Sequence, residues 1–100
     1  MSDHDPATLT HEQLAAAPAD QRVALVEAYL LASIRALFPD APPAVDSASR
    51  LADIGIDSIQ VVELKFGLDQ VLGEEIDIAL IIGNPTVSEL ATGSVRAAGL

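Results

Sequence analysis

Cysteine is absent from this 100-residue chain. That excludes disulfides, thiolate metal sites and a cysteine nucleophile together. Aromatic side chains are reduced to one tyrosine and two phenylalanines, so a core has to be built mainly from aliphatic residues. Basic residues number five against fifteen acids, for a net charge of −10. Such a chain repels nucleic acid and anionic membranes, so neither is expected as a partner, and it attracts proteins with basic patches. The only histidines, His4 and His11, both lie in a polar N-terminal stretch, where a buried histidine base is not expected. Eighteen consecutive apolar residues occur nowhere, and no positively charged segment precedes an apolar stretch. Neither a membrane span nor a signal peptide is expected, and a cytoplasmic location follows.

Half of the residues are apolar, enough to close the core of one small domain with a stability of about 5–10 kcal/mol. Residues 1–18 read as a flexible lead-in or linker, although Thr10 and Gln13 have the spacing of a capping box that Leu14 and its alanines could extend for a turn or two. A long helix is expected from about Asp20, with Asp20 as its cap. Val23, Val26, Leu30, Ile34 and Leu37 form its buried face, and Pro39 ends it. The segment 38–57 carries three prolines, and Leu51 and Ile54 are expected to pin it to the core through a short helical turn. A second helix runs from Ser58 to Leu72 and stops at Gly73, a residue suited to the left-handed position after a helix. Residues 77–82 (DIALII) have no partner strand and read as a short helix. Thr86 and Glu89 form a capping box that opens a last helix to about Ala97. The expected fold is all-α: a small four-helix bundle of three longer helices and one short one, with a long loop between the first and second.

The second helix raises the functional question. At about 100° per residue, Val61, Leu64, Leu68 and Val71 gather on one side with Leu72 at its edge, as a core stripe should. Ile59, Val62 and Phe66 gather on a different face, bordered by Glu63. So small a bundle can rarely bury both faces of a helix. Apolar side chains left partly wet and rimmed by acids make a docking surface; the alternative is that Leu51 and Ile54 fold the long loop over them. Asp57 with Gln60 forms a capping box of the D-x-x-Q type. That frees Ser58 from capping and points its hydroxyl outward at the first helical position. An anion attached there would meet unpaired N–H groups and the positive end of the helix dipole.

Other site chemistries fail on spacing. G-I-D-S-I is not a nucleophile elbow, the calcium-loop pattern is missing among the acids, no glycine-rich phosphate cradle occurs, and no histidine is at hand to activate Ser58. A catalytic role is not expected, no metal site is expected, and divalent cations should bind only loosely. An unmodified interaction module, with Ser58 as a plain cap and the second stripe as a permanent interface, is a reading of another class.

The stretches LADIGIDSIQVVEL and NPTVSELA resemble the acyl carrier proteins, most closely the carrier domains of modular polyketide synthases, over about residues 20–97. The resemblance implies a carrier domain over residues 19–98 that acts as a monomer. It implies a 4′-phosphopantetheine arm, delivered from coenzyme A by a phosphopantetheinyl transferase onto Ser58, with Asp57 helping the transferase to orient metal and substrate. The arm would hold acyl groups as thioesters for polyketide or related fatty acid-like biosynthesis, which fits a chain that has no sulfur nucleophile of its own. Ile59, Val62, Glu63 and Phe66 would face partners such as the transferase, a ketosynthase or an acyltransferase. The chain departs from the family pattern in Ile59 for the commoner leucine, in the base Lys65, and in Ile82-Gly83-Asn84 where an aromatic pair often stands. Ile56-Asp57 before the serine points to the acyl branch, and an aminoacyl or peptidyl carrier is the alternative within the family.

Overall fold

The computed structural model describes residues 8–38 and 44–100. Among these residues six helices form, in the order α1 (His11–Ala16), α2 (Ala19–Ala36), α3 (Leu51–Ile54), α4 (Ser58–Leu72), α5 (Ala79–Ile82) and α6 (Val87–Ala97). The three longer ones, α2, α4 and α6, build the bundle and the short ones tie its ends. No strand forms among the described residues; a single antiparallel bridge joins Arg50 to Thr86.

Local signals set most of the boundaries. Thr10, Asp57 and Thr86 each accept from the N–H three residues on, while Gln13, Gln60 and Glu89 reach back to the cap N–H. Each box satisfies two of the donors that a helix start leaves open. Gly73 ends α4 in the left-handed conformation, at φ 77°. The start of α2 differs from expectation. Pro18 occupies the cap position with no side-chain bond, and Asp20 lies within the first turn. Proline's fixed φ suits a helix entry, and a carboxylate one residue further in still faces the positive end of the dipole. Pro39 lies outside the described residues. The last turn of α2 closes at Leu37, whose N–H bonds to Ser33 O and Ile34 O at 3.2 and 3.1 Å.

The core is aliphatic. Val26, Leu30 and Ile34 of α2, Leu64, Leu68, Val71 and Leu72 of α4, and Val87, Leu90, Ala91 and Val95 of α6 are buried together with Tyr29. Val23 packs at the edge of this cluster, and Leu37 is half-buried. Ser94 is the one buried polar residue of α6, and its hydroxyl has no hydrogen-bond partner among the described residues.

Helix α1, within the stretch expected as a lead-in, packs against α2 and α4. Leu14 is fully buried. Arg22 donates to Ala17 O and Ala15 O at 3.1 and 3.0 Å, satisfying carbonyls at the end of α1. The His11 ring lies over Gly73, with Nδ1 3.2 Å from Val71 O near the end of α4.

The long connection is held as expected and by more than its apolar residues. Leu51 is buried, and Ile54 packs against the core. Val45 is also buried, and its carbonyl accepts from Arg35 at 3.1 Å. Ser47 O and Ser49 O accept the N–H groups of Ser88 and Val87, the first two of α6. Asn84 adopts a left-handed φ of 59° and its side-chain oxygen accepts from Ala52 N–H at 3.1 Å. Together these bonds fasten α3 to the α5–α6 corner and fix the approach to α4.

Candidate functional site

The backbone turns at Gly55, whose φ of 90° favours glycine, and a Cβ there would meet nothing within 4 Å. Two residues later Asp57 caps α4. Its Oδ1 accepts the Gln60 N–H at 2.8 Å, and its own N–H donates to Gln60 Oε1 at 3.0 Å. The same glutamine amide donates through Nε2 to Leu37 O at 3.3 Å. Gln60 therefore anchors the start of α4 to the end of α2, a contact across 23 positions that nothing in the local sequence signals.

With Asp57 as cap, Ser58 is the first helical residue. It is exposed, and its hydroxyl makes no hydrogen bond with the described residues. The helix it opens is 15 residues long, so its dipole is fully developed at this end.

Down α4 the two stripes separate as the spacing predicts. Leu64, Leu68, Val71 and Leu72 are buried, with Val61 half-buried beside them. Ile59, Val62 and Phe66 are 71, 57 and 66% exposed, and Glu63 is exposed next to them. The connection through Leu51 and Ile54 thus leaves the second stripe open and packs elsewhere on the core. Both flanks of α4 are in use. On one, Gly67 receives the Tyr29 hydroxyl from α2. On the other, Lys65 Nζ lies 2.6 Å from Asp69 Oδ2, and Asp69 Oδ1 accepts the Ile76 N–H at 3.0 Å.

Two titrating groups next to this face are shifted upward. The Lys65 ammonium is favoured first by its hydrogen bond to Asp69 and then by the charges of Asp69, Glu75 and Asp77, against partial desolvation. Burial raises the Tyr29 phenol, and its hydrogen bond with Ser33 opposes the shift. By sequence Lys65 is a base within an acidic helix; in the structure it is paired with Asp69. The i,i+4 spacing to Asp69 was the available signal that it is paired.

A family model described as a phosphopantetheine attachment site matches residues 28–93, from within α2 to within α6. The chain belongs to that family. Proteins of this family are carriers whose 4′-phosphopantetheine is attached covalently, and they interact with phosphopantetheinyl transferases and biosynthetic enzymes. No curated protein and no solved structure gives a significant match. Helix α1, the first half of α2 and the end of α6 lie outside the matched residues, and with them Leu14, the Arg22 contacts and the buried Ser94 and Val95. No helix among the described residues is long and apolar enough to cross a membrane.

Proposed function

We propose that Ser58 carries the phosphopantetheine arm and that the chain is an acyl carrier for polyketide or related fatty acid-like biosynthesis. The observation that carries this reading is the division of labour at the turn. Asp57 does the capping, so the Ser58 hydroxyl is exposed and unengaged at the N-terminus of a long helix. The residues suit a phosphate ester there. The Ser58 and Ile59 N–H groups precede the first internal helix bond and have no partner among the described residues, and Gly55 leaves the approach open. The arm supplies the thiol that this chain lacks. The chain's own residues supply the hydroxyl, the rigid turn and the surface that enzymes read.

Ile59, Val62, Glu63 and Phe66 form that surface in this reading, and Asp57 helps the transferase to orient metal and substrate. Three large apolar side chains left in water on one helix face support it. Choice of the acyl branch rests on Ile56-Asp57 before the serine. The chain acts as a monomeric, non-catalytic shuttle, and the cytoplasmic location expected from its sequence goes with that role.

The test is covalent. Incubation with coenzyme A, Mg²⁺ and a broad-specificity phosphopantetheinyl transferase should add one arm by intact mass. Ser58→Ala should take none while keeping its helical circular dichroism, and its stability should fall by no more than about 1 kcal/mol because Asp57 remains the cap. A wild-type chain that stays unmodified while a control carrier loads sinks the reading. Cargo identified on the arm in the producing cell separates acyl from aminoacyl use.

A further inference from the structure

Helix α4 contains three charged side chains, Glu63, Lys65 and Asp69. Rotation of about 100° per residue sets Ile59, Val62, Phe66 and Glu63 on the outward arc and Lys65 and Asp69 on the flank beside Val62. Lys65 does not reach across that arc. Its ammonium is held 2.6 Å from Asp69 Oδ2, with the two side chains only 21 and 13% exposed. Asp69 is itself fixed, because its other oxygen takes the Ile76 N–H from the connection after α4. Lys65 and Asp69 cancel, which leaves Glu63 as the one uncompensated charge of the helix.

We infer that the Lys65–Asp69 pair is a specificity-determining device that holds the only base of α4 off the docking face. A phosphopantetheinyl transferase then meets Ile59, Val62 and Phe66 with Glu63 as the one uncompensated charge of α4, beside Asp57 at its cap. This inference rests on the carrier reading above. It commits the transferase to an apolar recess with one basic residue opposite Glu63, in place of a broad basic plateau. Charge complementarity sets that requirement. A free ammonium beside Val62 and Phe66 would have to be desolvated against the recess and would repel the base opposite Glu63. The overall charge of −10 still steers encounter, while the apolar contacts set how long the complex lasts.

The experiment follows loading of the full chain by a broad-specificity phosphopantetheinyl transferase with coenzyme A and Mg²⁺, resolving kcat and KM for the carrier at low and high salt. Val62→Asp and Phe66→Asp should each raise KM about tenfold with kcat little changed, as expected for the centre of an apolar contact. Asp69→Asn keeps an oxygen for the Ile76 N–H but presents an amide donor to Lys65 and releases it. Its KM should rise about three- to tenfold, and the penalty should shrink in high salt as repulsion is screened. Adding Lys65→Gln to Asp69→Asn should bring KM back toward the wild-type value, a rescue that a merely structural role for Asp69 would not give. Circular dichroism and melting verify that each variant is folded. Wild type that takes no arm overturns the carrier reading and this inference with it. Wild type that loads, with Asp69→Asn indistinguishable from it or with no rescue by the second change, overturns this inference alone; both apolar variants loading normally would overturn it together with the docking surface, leaving the arm on Ser58.

Discussion

The Tyr29 hydroxyl of α2 rests directly on Gly67 in the middle of α4, so close that a Cβ at that position would overlap it. Glycine inside a helix ordinarily costs about 1 kcal/mol relative to alanine. Here it lets the two longest helices approach each other at the one point where a polar aromatic group is buried between them. Gly67→Ala should therefore destabilise the chain, by about 1–3 kcal/mol, despite the better helix propensity. The ring carbon behind the hydroxyl is 3.7 Å from the built Cβ, an ordinary contact, so Tyr29→Phe should restore part of the loss in the Gly67→Ala background. Denaturant unfolding of the four variants measures the coupling; a double variant no more stable than Gly67→Ala would contradict the contact.

The same phenol gives a pH signature. Burial raises its pKa in the folded state, so the folded chain keeps the proton to higher pH than the unfolded chain does. Its contribution is fully present below the ordinary tyrosine range, near pH 10, and is lost as pH rises through the folded value. Lys65, raised by Asp69, acts with the same sign in the same alkaline range. Stability should fall above about pH 10. Since this is the only tyrosine, phenolate absorbance near 295 nm should rise together with loss of helical signal. A phenol that ionises fully at its ordinary pH while the helices persist would refute the burial.

Leu14 should matter more than its place in the chain suggests. It is fully buried at the junction of α1 with α2 and α4, and Leu14→Ala should cost about 2–4 kcal/mol. Gly73→Ala should also destabilise, through both its left-handed backbone and the His11 ring, which lies within 2.9 Å of the added Cβ. Adding His11→Ala should relieve only the steric part. Melting of a chain begun at residue 19 gives a direct check: a melting temperature equal to that of the full chain would show that α1 contributes nothing.

Ser94 should behave in the opposite way. Its hydroxyl is buried in the core face of α6 without a partner among the described residues, where an unmade hydrogen bond costs more than the group returns. Ser94→Ala should be neutral or stabilising by up to about 1 kcal/mol, since alanine also suits a helix interior better. A clear loss of stability on chemical denaturation would mean that the hydroxyl has a partner after all.

What could be read from sequence was local. The three capping boxes each span three residues, and the two stripes of α4 follow from helical rotation alone. Ser58 could be separated from Asp57 because a cap and the residue after it have different backbone duties. The missed features join distant positions: Gln60 to Leu37, Tyr29 to Gly67, His11 to Val71, Asn84 to Ala52. The Lys65–Asp69 pair was near at hand in the chain, but its meaning depended on the Ile76 N–H that holds Asp69 in place. The start of α2 lies within a residue of the expected position, but its cap is Pro18 and not Asp20, since proline and aspartate both fit a helix entry.

The link from the Gln60 amide to the Leu37 carbonyl makes the beginning of α4 a fixed post. A long flexible group bonded to Ser58 would swing from a stationary pivot, and its sweep would be set by its own length. Enzymes clustered around such a post would find the cargo by waiting for the swing, with no need for the bundle to bend.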